Sequence, residues 1–192
     1  MKRIKPSEVL KPALILFAIC LIVTALLAGT NLLTQDAIAA QEQQKQDESC
    51  RVALPEAETF STMEGVEGTS AAYEGQNAAG DTVGWVFVTE SKGYGGTMRV
   101  MTGINSEEKV TGVVILSHDE TPGLGANAEK DSFRNQYQQN VPQDGFQVVK
   151  SEPSDGEIQA MTGATISSNA VTDAVNTALD CYRTLQSKGG AQ

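Results

Sequence analysis

Residues 162–185 read TGATISSNAVTDAVNTALDCYRTL, in which a tetrad of small residues stands directly before a helical repeat. Apolar residues recur after the tetrad at steps of three and four, which is the spacing of one face of an α-helix. The members of this stripe are Val171, Ala174, Val175, Ala178, Tyr182 and Leu185. The pattern predicts a helix over about Ser167 to Gln186, with a start between Thr165 and Ser168, that packs this stripe against a folded domain.

The tetrad Thr162, Gly163, Ala164 and Thr165 therefore occupies the N-terminus of the predicted helix. Unpaired backbone N–H groups and the positive end of the helix dipole attract anions at that position. Gly163 and Ala164 carry almost no side chain, so a phosphate group could approach the backbone closely. A plain helix cap is the simpler interpretation, because Ser and Thr are ordinary N-cap residues. The other segments of the chain have to decide between the two.

The N-terminal segment from Pro12 to Gln35 carries no charge. Its apolar part, Ala13 to Leu33, is 21 residues long, which is enough for a helix to cross roughly 30 Å of hydrocarbon. Four basic residues precede it, which predicts a single-pass anchor with a cytoplasmic N-terminus and an extracytoplasmic remainder. A cleaved signal peptide stays an alternative, because Ala28-Gly29-Thr30 is a poor version of a cleavage site.

The charge of the chain is strongly acidic and unevenly distributed. The formal net charge is −10, and beyond residue 12 there are 10 basic and 23 acidic residues. Such a surface repels the phosphates of nucleic acids, so the composition argues against a nucleic-acid partner.

The three cysteines give little guidance on function. Cys20 lies in the apolar segment, whereas Cys50 and Cys181 could pair in an oxidising compartment, although nothing in their spacing requires it. Without a Cys-x-x-Cys motif, the sequence supports neither a zinc nor an iron–sulfur site.

Candidate strands follow one another through the middle of the chain. Alternating apolar residues predict strands over Ala71–Gln76, Thr82–Glu90, Thr97–Ile104 and Val110–Leu116, then a helix over Ala128–Gln138 and a short strand over Phe146–Val149. Within the second strand, Val86 and Val88 face away from Trp85 and Phe87, which predicts a sheet covered on both sides. Hairpin-connected strands followed by helices predict an α+β domain with a mainly antiparallel sheet flanked by helices.

The predicted organisation has five parts. They are a basic N-terminus over residues 1–11, a membrane anchor over 12–35, a polar stalk and linker over 36–68, an extracytoplasmic domain over 69–188 and a tail over 189–192. Within the linker, Glu56 to Gly68 is predicted to contain a short strand.

Two glycine-containing loops adjoin the predicted strands. They are GYGG at residues 93–96 and ETPGLG at residues 120–125. The single histidine, His118, lies beside the second loop, and we interpret it as a solvated loop residue rather than part of a metal or acid–base site. No partner set for nucleophilic catalysis is visible, so no catalytic residue is predicted. Together with the tetrad, the two loops could wall a flat apolar ligand that carries a phosphate.

These three strings, in this order after one N-terminal span, resemble the G subunit of the Rnf ion-translocating electron transport complex. They resemble less closely the C subunit of the sodium-pumping quinone reductase, which is generally longer. The resemblance implies FMN joined through its phosphate to the last Thr of the tetrad, Thr165, by a separate flavin transferase. Thr162, Ser167 and Ser168 are neighbouring hydroxyls that have to be excluded as acceptors. The other expected FMN contacts are Thr162, Gly163, Ala164, Tyr94, Glu120, Thr121 and Leu124, with Tyr94 and Leu124 as apolar walls.

The resemblance implies an electron-carrying flavoprotein subunit with no complete turnover of its own. Its complex would couple electron transfer between ferredoxin and NAD to ion movement, and its partners would be the lipid bilayer and other membrane subunits of that complex. Two alternatives remain: the quinone-reductase C subunit, and an extracytoplasmic binding or regulatory module without redox work.

Overall fold

The computed structural model describes residues 6–189, and its first element is a long helix, α1, over Pro6–Ala53. Residues Ala13–Gln35 of this helix have a mean hydropathy of 2.6, and none of them is buried. By length and composition this segment is a candidate membrane span. The helix ends two residues before Pro55, as expected because proline disfavours helical geometry in the residue before it.

A five-stranded sheet forms the centre of the second compact unit, which begins at Gln46. Neighbouring strands are consecutive in the chain and antiparallel throughout. The strands are β1 (Thr59–Met63), β2 (Ala71–Gln76), β3 (Thr82–Lys92), β4 (Thr97–Asn105) and β5 (Val110–Ser117). A small parallel pair, β6 (Gln147–Val149) with β7 (Glu157–Gln159), lies later in the chain. The α+β fold with an antiparallel sheet is thus confirmed.

The C-terminal helix covers one face of the sheet. We number it α3; it spans Thr165–Gly189 and packs on β3 and β4. Val171 and Val175 of the predicted stripe are fully buried in the same core as Phe87. The helix begins at Thr165, within the range predicted for its start.

The opposite face of the sheet is covered by the end of α1 and the residues after it. Cys50, Ala53 and Leu54 pack there against Val86 and Val88. The predicted two-sided cover of β3 is therefore confirmed. The sequence did not indicate what supplies this cover: part of the segment assigned to a stalk and linker forms the second core. The edge strand β1 lies within the linker, where a short strand was predicted.

The two buried cysteines lie in different cores. Cys50 belongs to the core beside α1 and Cys181 to the core beneath α3, so the sheet separates them, and both are free thiols. Burial, with a smaller contribution from Asp47, raises the pKa of the Cys50 thiol to about 11. The disulfide that the sequence left open is not formed.

The helix predicted over Ala128–Gln138 is wrong in its continuity. The structure has a 3-10 turn at Gly125–Glu129, a short helix α2 at Asp131–Arg134 and a second 3-10 turn at Asn135–Tyr137. The backbone of Lys130 is extended, which interrupts the helical geometry between the first 3-10 turn and α2. Tyr137 is nevertheless buried, and its hydroxyl lies 2.7 Å from the Thr172 hydroxyl of α3, so tertiary contacts rather than helix continuity fix this segment.

Candidate functional site

A cleft of about 460 Å³ lies where the loop after β3, the loop after β5 and the start of α3 meet. Seven of the eight sequence-predicted contacts line it, and Thr162 does not. The structure adds Gly125, Ile166 and Ser167, which the sequence did not assign to cofactor binding. The full set is Tyr94, Glu120, Thr121, Leu124, Gly125, Gly163, Ala164, Thr165, Ile166 and Ser167.

The first turn of α3 is held by Ser168. Its hydroxyl accepts a hydrogen bond from the Met161 N–H at 2.9 Å and donates one to the Ala164 carbonyl at 3.0 Å. Across the described residues 6–189, the N–H groups of Thr165, Ile166 and Ser167 make no hydrogen bond. These free donors give the helix N-terminus its capacity to hold an anion.

The four hydroxyls in this segment differ in what they contact. Ser167 and Ser168 are buried, and both hydroxyls are engaged, that of Ser167 with Glu120 at 2.6 Å. Within the part of the chain that the structure describes, the hydroxyls of Thr162 and Thr165 have no hydrogen-bond partner. Thr162 is exposed outside the cleft, whereas Thr165 is half-buried in its wall. Of these four hydroxyls in the described structure, that of Thr165 is therefore the one that is both unengaged and at the cleft.

Glu120 is a buried carboxylate in the cleft wall, with 7% of its surface exposed. One carboxylate oxygen accepts a hydrogen bond from the Gly95 N–H at 3.1 Å, and the other accepts one from the Ser167 hydroxyl. Burial raises the pKa of Glu120, but the hydrogen bonds from Ser167, Gly95 and Tyr94, together with nearby His118, outweigh it and bring the pKa below its usual value. The carboxylate is therefore ionised near neutral pH.

Three large apolar side chains surround the cleft with much of their surface exposed. Tyr94 is 74% exposed, Leu124 45% and Ile166 55%. Such a group of exposed apolar residues around a cleft favours a flat apolar ligand. Ile166 was not predicted from the sequence, because this residue lies outside the apolar stripe of α3. An apolar residue outside that stripe and directly after the tetrad could have indicated a contact in the cleft.

Comparison with known proteins identifies the family. Residues 93–180 match the model of the FMN-binding domain, and residues 1–50 match that of the RnfG N-terminal region. The G subunit of the proton-translocating ferredoxin:NAD(+) oxidoreductase complex from Clostridium ljungdahlii is 39% identical over 84% of this chain and 84% of its own length. The chain belongs to the family of Rnf complex G subunits. The Na(+)-translocating counterpart from Acetobacterium woodii is 34% identical over 92% of this chain and 93% of its own length.

The Rnf G family assignment agrees with the fold. A crystal structure of the C subunit of Na(+)-translocating NADH-quinone reductase from Parabacteroides distasonis superposes with a TM-score of 0.50 at 23% identity, covering 58% of this chain and 60% of that one. At this identity the likeness concerns the fold alone. The resemblance drawn from the three sequence strings is confirmed by the family match.

The residues that line the cleft of this Rnf G family member have the chemical character expected of an FMN site. All of its lining residues fall inside the matched FMN-binding domain. The apolar rim suits the isoalloxazine ring, and the free N–H groups at the start of α3 suit a phosphate. The chain is thus a flavoprotein subunit of an ion-translocating oxidoreductase family.

His118 is more buried than the sequence indicated. Its side chain is 13% exposed, and Nε2 lies 3.2 Å from a carboxylate oxygen of Glu129. Nδ1 accepts a hydrogen bond from the Glu120 backbone N–H at 3.1 Å. His118 does not line the cleft, and it supports the backbone at Glu120.

Proposed function

We propose that this chain is the electron-carrying subunit of an Rnf-type complex, with FMN attached through its phosphate to the Thr165 hydroxyl. The observation that carries the proposal is the position of Thr165, whose unengaged hydroxyl lines the cleft at the N-terminus of α3. The relatives from Clostridium ljungdahlii and Acetobacterium woodii are named as subunits of ferredoxin:NAD(+) oxidoreductase complexes. The same coupling is proposed here.

Attachment requires a phosphoryl transfer, for which FAD and a separate flavin transferase are proposed. The Thr165 oxygen forms a bond to the FMN phosphorus of FAD, the phosphoanhydride bond breaks, AMP leaves and the hydroxyl proton is released. The phosphodiester product retains one negative charge. The free N–H groups of Ile166 and Ser167 are suited to hold that charge at the start of α3.

The remaining cleft residues bind and orient the cofactor. Tyr94, Leu124 and Ile166 provide apolar surface for the ring, while Gly163 and Ala164 leave space for the phosphate beside the backbone. FMN supplies the one- and two-electron chemistry when it is bound. This division explains why the chain needs no catalytic dyad, because the protein contributes position and local electrostatics.

The proposed setting is the cytoplasmic membrane. The span at Ala13–Gln35 anchors the chain, and residues 36–192 lie outside the cytoplasm, where a covalent bond prevents loss of the cofactor. Other membrane subunits of the complex and the bilayer are the partners. The quinone-reductase C subunit is less favoured, because its likeness is one of fold, whereas the Rnf relatives match most of the chain.

The proposal is tested by expressing the full-length chain with and without an active flavin transferase. Coexpression is expected to give an in-gel flavin fluorescence band that survives SDS and a mass increase equal to one FMN residue. The chain expressed without the transferase is the control and should show neither. If coexpression yields no adduct, the covalent flavoprotein assignment is wrong and the module without redox work gains support.

A further inference from the structure

Glu120 connects the three segments that form the cleft. It belongs to the loop after β5, its first carboxylate oxygen accepts the Gly95 N–H of the loop after β3, and its second accepts the Ser167 hydroxyl of α3. Ser167 itself is 1% exposed. A single buried side chain thus joins segments that are 25 and 47 positions away in the chain.

Two glycines leave the space that this carboxylate occupies. A Cβ atom built at Gly93 would overlap one carboxylate oxygen of Glu120, and one built at Gly125 would overlap the other oxygen and the Ser167 hydroxyl. The absence of side chains at these positions is therefore explained by Glu120 itself. A bound ligand is not needed to explain these two glycines.

Both oxygens of Glu120 are committed to protein donors, which distinguishes this residue from the cofactor contacts around it. Ser167 follows Thr165 by two residues in the first turn of α3, so the bond between Glu120 and Ser167 restrains the turn that carries the Thr165 hydroxyl. The bond to Gly95 restrains the loop that carries Tyr94. Loss of either bond would leave a buried polar group without a partner.

We propose that Glu120 is a positioning residue that acts through Ser167 to fix Thr165 relative to Tyr94, so that the hydroxyl is held ready for flavin transfer. The direct FMN contact that the family resemblance implies for Glu120 stays a prediction beside this role, since Glu120 lines the cleft. The inference rests on the proposed function, since it concerns the same hydroxyl. Hydrogen exchange on the flavin-free chain tests the anchoring separately.

Four single variants and one double variant of the full-length chain separate geometry from charge. Glu120→Ala removes both hydrogen bonds, and Ser167→Ala removes one hydroxyl and almost no volume. Glu120→Gln keeps the shape, because its amide oxygen can accept from Gly95 and its NH₂ can donate to the Ser167 oxygen. Asp180→Asn is the matched control: it also converts an acid to an amide, but in the exposed pair with Arg183 further along α3.

The first measurement is the initial rate of FMN incorporation by purified transferase and FAD, followed by intact mass. Glu120→Ala and Ser167→Ala are each expected to lower the rate about tenfold, the effect of losing a hydrogen bond to a charged group. The double variant, which combines Glu120→Ala with Ser167→Ala, should be no slower than the slower of these two single variants, because the two residues act through one bond. Glu120→Gln should stay within about threefold of the wild type, and Asp180→Asn should match it.

The second measurement is amide hydrogen exchange of the flavin-free chain. In Glu120→Ala and Ser167→Ala, the Ser168 N–H, which donates to the Ala164 carbonyl at 2.9 Å, should exchange about tenfold faster as the first turn loosens. Unchanged exchange in both variants would overturn the inference. This arm gives its answer even if the wild type takes up no FMN, an outcome that would overturn the proposed function instead.

Two outcomes of the FMN incorporation measurement would also contradict the inference. Multiplicative losses in the double variant would show that Glu120 does not act through Ser167. A folded Glu120→Gln as slow as Glu120→Ala would assign the effect to charge rather than to position. If the Glu120→Ala variant fails to fold, the comparison with the wild type rests on Ser167→Ala and Glu120→Gln, because neither of these substitutions leaves a cavity in place of the Glu120 side chain.

Discussion

The Thr89 hydroxyl of β3 donates a hydrogen bond to the Ala174 backbone carbonyl of α3, with the two oxygens 2.8 Å apart. Both residues are fully buried. This bond joins the middle of the helix to the central strand of the sheet. It explains why a threonine stands on the apolar face of β3.

Replacing Thr89 by Val keeps the shape of the side chain and removes this bond. We expect Thr89→Val to lower the free energy of unfolding by about 1 kcal/mol, the usual net contribution of a hydrogen bond between neutral groups. Chemical denaturation of the flavin-free chain measures the change. Thr62→Val in the edge strand β1 is the comparison variant, and an equal loss in both would assign the effect to strand preference instead.

Leu54, the residue directly after α1, tests whether this part of the chain belongs to the folded domain. The side chain is fully buried in the core on the side of the sheet opposite α3. Leu54→Ala should lower the free energy of unfolding by about 2–5 kcal/mol, as for other leucines deleted from a core. Val52→Ala, at an exposed neighbouring position, should change it by less than about 0.5 kcal/mol. Similar small changes in both variants would contradict the second core.

Thr165 is the expected attachment residue. Thr165→Ala should abolish the FMN adduct and leave the fold intact, because it removes one half-buried hydroxyl and no core volume. Thr165→Ser should retain partial attachment, since the nucleophile remains, and Thr162→Ala should load as the wild type does. Peptide mapping after coexpression with the transferase measures all three. An adduct on Thr165→Ala that maps to Thr162 or Ser167 would refute the assignment.

The orientation in the membrane follows from the basic residues that precede the span. A reporter that is active only in the cytoplasm should be inactive when fused after Gln192 and active when fused before Met1. High activity of the C-terminal fusion would reverse the proposed topology.

The pH dependence of stability follows from the lowered pKa of Glu120. In the unfolded chain a glutamate titrates at about 4.3, so the stabilising effect of the native carboxylate is fully present above that pH. It is lost as the pH falls through the lower native pKa. Melting temperatures of the wild type and Glu120→Gln should therefore differ most near neutral pH and converge in acid. A difference that grows on acidification would show that the native carboxylate is not stabilised by its donors.

Much of the fold was predictable because the signals are local. Strand β2 matches the predicted range, and β3, β4 and β5 match it to within two residues, because alternation of apolar residues reflects the geometry of each strand by itself. The stripe that includes Val171 and Val175 likewise predicted which face of α3 is buried. Val86 and Val88 predicted a second cover on the sheet without showing what supplies it.

The loop strings and the tetrad predicted most of the cleft lining, since small residues and a helix start are visible in the sequence. The tertiary structure alone decided three further points. Leu54 became core because the end of α1 and the residues after it pack onto the sheet. The segment around Phe133 broke into short turns because its aromatic side chains pack into the core. Glu120 became the connection between three segments because folding brings Gly95 and Ser167 within hydrogen-bonding distance of one carboxylate. Local pattern determines which residues form an element, whereas pairing between distant polar groups depends on how those elements are packed, and no spacing along the chain encodes it.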